Sequence, residues 1–170
     1  MLNVCVIGLG HIGNLHCRCY SKIKRVKLAA VCDVIPERAQ KAGEAFGVPW
    51  YLDAQEMLAK HRPELVSVAT GGYEYSSDHY EPTIQALMAG ANVLVEKPIC
   101  NDLEKARSMV QTAKELKLRL AVDLNHRFTP AMFPTKAPIC FWAVSSASFI
   151  SAPVISFFSM ASFWFTINAL

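Results

Sequence analysis

Charge is missing from the last quarter of this chain. The sequence holds 17 basic and 14 acidic residues, and every one except Lys136 lies at or before Arg127. A globular stretch as long as residues 129–170 ordinarily carries about ten charged side chains. Glycine is also absent beyond Gly90, and no Asp, Glu or His follows His126. Within this sequence, any Asp, Glu or His that moves a proton therefore lies at or before His126. Other absences exclude other classes. A net charge of +3, with no basic run interleaved with aromatics, argues against nucleic acid. The Lys22, Lys24, Arg25 and Lys27 cluster reads as a solvated loop. The six cysteines, Cys5, Cys17, Cys19, Cys32, Cys100 and Cys140, show no paired ligand spacing, so no metal site is expected. They read as buried apolar thiols of a reducing compartment. The amino terminus lacks the basic region of a cleavable signal peptide, and a cytoplasmic location is expected.

What is present is a statement about a ligand. The apolar run over 4–7 feeds Gly8-Leu9-Gly10-His11-Ile12-Gly13, a helix-compatible stretch over 11–21 follows, and Asp33 closes the next apolar run, LAAVCD. A glycine triplet alone is a weak signal, but this context completes a dinucleotide fingerprint. Gly8 permits a tight strand-to-helix turn, Gly10 lets a pyrophosphate approach the backbone, and Gly13 lets helix and strand pack closely. The first N–H groups of the helix, at His11 and Ile12, and its dipole favour phosphate. Asp33 is expected to accept hydrogen bonds from the adenosine ribose. Its charge repels a 2′-phosphate, which favours NAD over NADP, and Arg38 is the sole nearby cation arguing otherwise.

The remaining pattern alternates. Helices are expected over 36–46 and 53–60, with Asp53 and Glu56 forming a capping-box pattern, then over 81–88 and from Asn101 or Asp102 to 116. Strands are expected over 48–52, 65–70, 92–95 and 120–123. Such alternation predicts an α/β fold, a doubly wound and mostly parallel sheet with right-handed crossovers. Ligands of such sheets lie at the carboxyl ends of the strands, where the loop GGYEYSSDHY and the triplet Glu96-Lys97-Pro98 both fall. A partly desolvated lysine there is able to hold a hydroxyl and take its proton. Glu96 would orient or neutralise that ammonium, and Pro98 stiffens the turn and is a candidate for a cis bond.

The run AGANVLVEKPI, downstream of GLGHIG and upstream of NHRFTP, resembles the Gfo/Idh/MocA family of NAD(P)-dependent oxidoreductases. The resemblance covers residues 1 to about 131. It implies a Rossmann NAD-binding domain over 1–124 and hydride transfer between NAD and a hydroxyl carbon of a sugar, cyclitol or similar small molecule. It also implies that Lys97 meets substrate and nicotinamide and assists proton transfer, with Glu96 beside it. Thr70 matches the segment lying along the cofactor, His79 a histidine placed near substrate, and Arg127 an arginine near cofactor or substrate. Family members continue into a second α/β domain, which usually carries oligomer contacts. Here residues 125–134 are expected to begin the crossover to that domain, which this chain lacks, so an oligomer through it is not expected. Residues 135–170 are read as a poorly ordered hydrophobic Ser/Phe-rich tail. A change of reading frame or splicing near Phe133 accounts best for its composition. A membrane-inserted tail over 154–170 is weaker, because that window falls short of the roughly 20 residues of a span and serines interrupt it. A functional cap over the site is the third reading. A catalytically inactive NAD-binding module and a membrane-tethered protein are thus the alternatives to an enzyme.

Overall fold

The computed structural model describes residues 1–71 and 78–124. Arg127, the expected crossover over 125–134 and the tail over 135–170 lie outside the described residues, as does the middle of the loop after Thr70.

Eleven elements alternate along the described chain. They are β1 Leu2–Ile7, α1 His11–Tyr20, β2 Val26–Cys32, α2 Pro36–Phe46, β3 Trp50–Tyr51 and α3 Ala54–His61, then β4 Leu65–Val68, α4 Tyr80–Met88, β5 Asn92–Glu96, α5 Leu103–Glu115 and β6 Leu120–Asp123. The six strands form one sheet in the order β3-β2-β1-β4-β5-β6, and every pairing is parallel. The chain starts at β1, winds outward to β3, then returns to the other side of β1. The expected doubly wound α/β sheet is what the sequence folds into.

Strand β1 shows why both faces must be covered. Its side chains alternate between two cores, as a period of two requires. Cys5 and Ile7 pack with Met57 and Leu58 of α3, Ala86 and Leu87 of α4, and Met109 and Ala113 of α5. Val4 and Val6 pack on the other face with Cys17 and Tyr20 of α1 and Ala39 and Ala42 of α2. Each aliphatic side chain so buried contributes about 1.5–3 kcal/mol relative to exposure. Three of the thiols behave as expected of buried apolar groups, desolvation pushing Cys5, Cys17 and Cys32 each up to about 12, whereas Cys19 and Cys100 are only partly buried and Cys140 lies outside the described residues.

Local chemistry sets the boundaries. Asp53 Oδ1 accepts from the Glu56 N–H at 2.8 Å, and Asp102 rather than Asn101 caps α5, accepting from the Lys105 N–H at 3.0 Å. Gly47 ends α2 at φ +63, in the left-handed region glycine favours. Two expected strands prove shorter. Only Trp50 and Tyr51 ladder with β2 in the third strand, where Pro49 offers no N–H and the strand lies at the sheet edge. The fourth strand pairs only through Val68, because the Ala69 N–H still bonds to Ile7 O but Thr70 turns away toward Asp78.

Candidate functional site

The carboxyl ends of β1, β2, β4 and β5 bring the expected site residues to one edge of the sheet. At the end of β1, Gly8 has φ +89, and a Cβ there would lie 2.6 Å from the backbone of Ala69 and Thr70. A Cβ on Gly13 would collide with the Gly8 carbonyl oxygen. These two glycines are thus required by the protein's own packing. Gly10 differs: a Cβ there meets nothing within 4 Å, although its backbone is ordinary at φ −68. The open space above Gly10 is where a ligand can approach the backbone. Gly10 also starts α1 without a side-chain cap, leaving the first N–H groups, at His11 and Ile12, for an anion. His11 is exposed and Ile12 is 38% exposed. Asn14 fixes the loop from within, its Nδ2 donating to the Leu9 and Gly10 carbonyls at 2.7 and 2.9 Å.

Asp33 lies directly after β2 and is held against this loop. Its Oδ2 accepts from the Leu9 N–H at 2.7 Å and its Oδ1 from the Ile35 N–H at 2.9 Å. Each carboxylate oxygen retains a second lone pair for a hydroxyl. The residues present therefore fit a dinucleotide: an uncapped helix start, a glycine with open space above it, and an oriented carboxylate one strand away.

The next two strands carry the other expected residues. Thr70 Oγ1 donates to the Asp78 carbonyl at 3.0 Å, closing the base of the loop after β4. His79 is buried, with Nε2 2.9 Å from the Thr70 carbonyl and Nδ1 2.7 Å from the Pro98 carbonyl. It thereby bridges the end of β4 to the turn after β5, and both ring nitrogens face backbone. The Lys97–Pro98 peptide bond is cis. Lys97 is exposed at the sheet edge, while its own N–H donates to Glu96 Oε2 at 3.2 Å.

Beneath this turn lies a buried polar network absent from the sequence-based expectations. His16 of α1 places Nε2 3.2 Å from Glu96 Oε1 and 3.5 Å from Asp123 Oδ2, and Nδ1 2.6 Å from Ser67 Oγ. Because Nε2 faces only carboxylate oxygens, it donates there, and in the neutral ring Nδ1 accepts from the Ser67 hydroxyl. Glu96 and Asp123 are register partners on adjacent strands, so two buried carboxylates stand side by side with the imidazole against them. Burial pushes the Glu96 carboxyl up, but the hydrogen bonds from His16 and from the N–H of Lys97 hold it below the ordinary glutamate range. The ligand-type atoms of His16, Glu96 and Asp123 fall within 4.8 Å of one another. Their local spacing in sequence gives no hint of this. The available signal was the polar residue on each apolar element: His16 on the inward face of α1, Ser67 inside β4, and acids ending β5 and β6. Among the described residues, no helix is long and apolar enough to cross a membrane.

Comparison with known proteins agrees with this geometry. Residues 2–124 match the Gfo/Idh/MocA model, an oxidoreductase family with an NAD-binding Rossmann fold. The D-glucoside 3-dehydrogenase of Escherichia coli strain K12 is 38% identical over 129 residues, covering 75% of this chain and 36% of that protein. An inositol 2-dehydrogenase/D-chiro-inositol 3-dehydrogenase of Lactiplantibacillus plantarum is 31% identical over 138 residues, covering 79% of this chain and 38% of that protein. The chain thus spans a little over a third of the length of these curated relatives. Among solved structures, an oxidoreductase from Agrobacterium radiobacter in complex with NAD+, L-tartaric acid and magnesium superposes with a TM-score of 0.68 at 27% identity. That match covers 74% of this chain and 36% of the other. On the strength of the fingerprint, the sheet order and the family match over residues 2–124, this chain belongs to the Gfo/Idh/MocA oxidoreductase family and carries its NAD-binding Rossmann domain.

Proposed function

We propose that the chain serves reversible hydride transfer between NAD and a hydroxyl-bearing carbon of a sugar, cyclitol or related small molecule, with Lys97 as the acid/base. One observation carries this reading: the residues expected along the cofactor fall in spatial order on neighbouring strands. Asp33 follows β2, the glycines follow β1, Thr70 follows β4 and Lys97 follows β5. At about 4.8 Å between strands, Asp33 and Lys97 stand roughly 14 Å apart across the edge, with the phosphate-binding helix start between them. On this reading the ribose end and the reacting end lie on opposite sides of the glycine loop.

Bound NAD supplies the hydride acceptor. Asp33 binds and orients at the ribose end, and its charge opposes a 2′-phosphate. The N–H groups at the start of α1 hold the pyrophosphate. In the oxidising direction the amine form of Lys97 takes the proton of the substrate hydroxyl as the hydride leaves the same carbon, and in reverse the ammonium returns it. His79 acts from behind, tying Thr70 to the cis turn that carries Lys97. The relatives named for glucoside and inositol oxidation support the substrate class.

The test is an NAD titration of the chain followed by turnover on a panel of polyols and hexoses. Turnover abolished by Lys97→Ala with NAD binding retained supports the reading, and undiminished turnover overturns it. The second reading is an NAD-binding module without catalysis, supported by the family match over residues 2–124, which is to an NAD-binding Rossmann fold. It predicts NAD binding with no turnover on any member of the panel.

A further inference from the structure

We propose that His16 is a positioning residue that couples the phosphate-binding helix to the Lys97 turn. The proposal rests on the NAD-binding reading above, and it assigns a role to a residue that touches neither cofactor nor substrate.

The geometry forms one continuous line. The first residues of α1, His11 and Ile12, face the pyrophosphate position, and His16 sits on the inward face of the same ten-residue helix, below Gly13. Its imidazole reaches Glu96 Oε1 at 3.2 Å, and the other oxygen of that carboxylate accepts the Lys97 N–H at 3.2 Å. Two polar contacts therefore separate the helix that starts at the anion site from the backbone of the lysine. The network is fully interior: His16 and Asp123 are each 1% exposed, Ser67 is 0% exposed and Glu96 6%. A buried polar chain of this kind has few alternative partners, so displacement of one member moves the next. The arrangement also spans four elements, since Ser67 belongs to β4 and Asp123 to β6. Tyr20, one turn further along α1, meets the imidazole edge-on with ring centroids 6.4 Å apart and limits its rotation.

A leucine of similar bulk would fill the space occupied by His16. It could neither donate to two carboxylates nor accept from Ser67. If His16 only filled the core, His16→Leu would be the mild change and His16→Gln the harsh one, since the amide leaves polar atoms to satisfy. The positioning role predicts the opposite order, because a glutamine amide restores a donor toward Glu96.

The experiment uses ADP, which carries the adenosine diphosphate half of the cofactor and has no nicotinamide to touch Lys97. The full chain and its variants are titrated with ADP, while the Lys97 amide is followed in ¹H–¹⁵N spectra. In the parent, ADP displaces the Lys97 amide resonance. His16→Leu is expected to bind ADP within about threefold of the parent, under 1 kcal/mol by the affinity relation, while the Lys97 displacement collapses. His16→Gln is expected to restore it. An equal displacement in His16→Leu, or none in the parent, overturns the coupling. If His16→Leu fails to fold, Glu96→Gln breaks the same line at its next member and is read identically. Absence of ADP and NAD binding in a folded parent would instead overturn the cofactor reading itself. Elemental analysis checks a competing occupant: a stoichiometric divalent metal lost on His16→Leu would make the cluster a metal site and overturn the proposal.

Discussion

Gly10 and Gly13 stand three residues apart in one motif, yet the structure gives them opposite debts, one to the ligand and one to the fold. A side chain on Gly10 enters open space at an unstrained φ of −68. Valine there is a poorer helix cap than glycine, a cost below about 1 kcal/mol. Its branches would occupy the gap through which a pyrophosphate reaches the backbone. Loss of even one charge-assisted hydrogen bond removes about 1.5–3 kcal/mol, a weakening of NAD binding by roughly 10- to 100-fold. A Cβ on Gly13 overlaps the Gly8 carbonyl oxygen, a backbone atom that no rotamer change can move aside. Overpacking costs about 1–3 kcal/mol, and alanine's better helix propensity returns at most about 1 kcal/mol. With roughly 3–6 °C per kcal/mol for a domain near 120 residues, Gly13→Ala lowers Tm by several degrees. Calorimetric NAD titration and scanning fluorimetry on both variants separate the effects. Gly10→Val should keep Tm and lose affinity, and Gly13→Ala should lose Tm. Unchanged affinity in the first, or unchanged Tm in the second, refutes the division.

Asp33→Asn leaves a single acceptor oxygen for the N–H groups of Leu9 and Ile35, so the loop loses one anchor. NAD affinity should fall about tenfold, and the preference over NADP should narrow, as read by parallel titrations of the two cofactors. His79→Ala removes the buried ring that faces the Thr70 and Pro98 carbonyls and should cost about 1–3 kcal/mol, visible in denaturant midpoints. The folded Glu96 carboxyl lies below its unfolded value of 4.5. Its contribution to stability is therefore complete above pH 4.5 and is lost as pH falls through the lower folded value. Glu96→Gln should flatten the stability profile in that acid range, measured by urea unfolding across pH. A profile as steep as the parent's would show that other groups carry the dependence.

Much of the fold was legible because its signals are local. Gly8, Gly13 and Asp33 sit at spacings fixed by one strand-turn-helix-strand unit, and Asp53, Gly47 and Asp102 punctuate helices through contacts within four residues. The ends of β3 and β4 were overextended because apolar residues continue past the point where a partner strand exists to pair them. The role of His79 was legible only in part. Its place at the start of α4 follows from sequence order, but its bonds run to Thr70 and Pro98, nine and 19 residues away. The His16 network was not legible. Its partners are 51 and 80 residues distant, and only the sheet order places β4, β5 and β6 side by side.

That same order explains why a buried polar network sits at this point of the sheet. A parallel strand with helices on both faces has no solvent side on which to place a charge. The Glu96 carboxylate that ends β5 beside Lys97 therefore points into the protein and needs a partner there. The adjacent strand ends in another acid, Asp123, so a hydrophobic neighbour in place of the imidazole would remove the donor that faces both buried carboxyl groups. A histidine from α1 meets both, and α1 is fixed in place by the Gly8 to Gly13 contact that the dinucleotide fingerprint requires. The glycine that lets the helix approach the sheet thus also brings the imidazole within reach of Glu96. Gly13→Ala should accordingly disturb the Lys97 amide even without ligand, because lifting α1 from the sheet lengthens the His16–Glu96 contact before any cofactor is present.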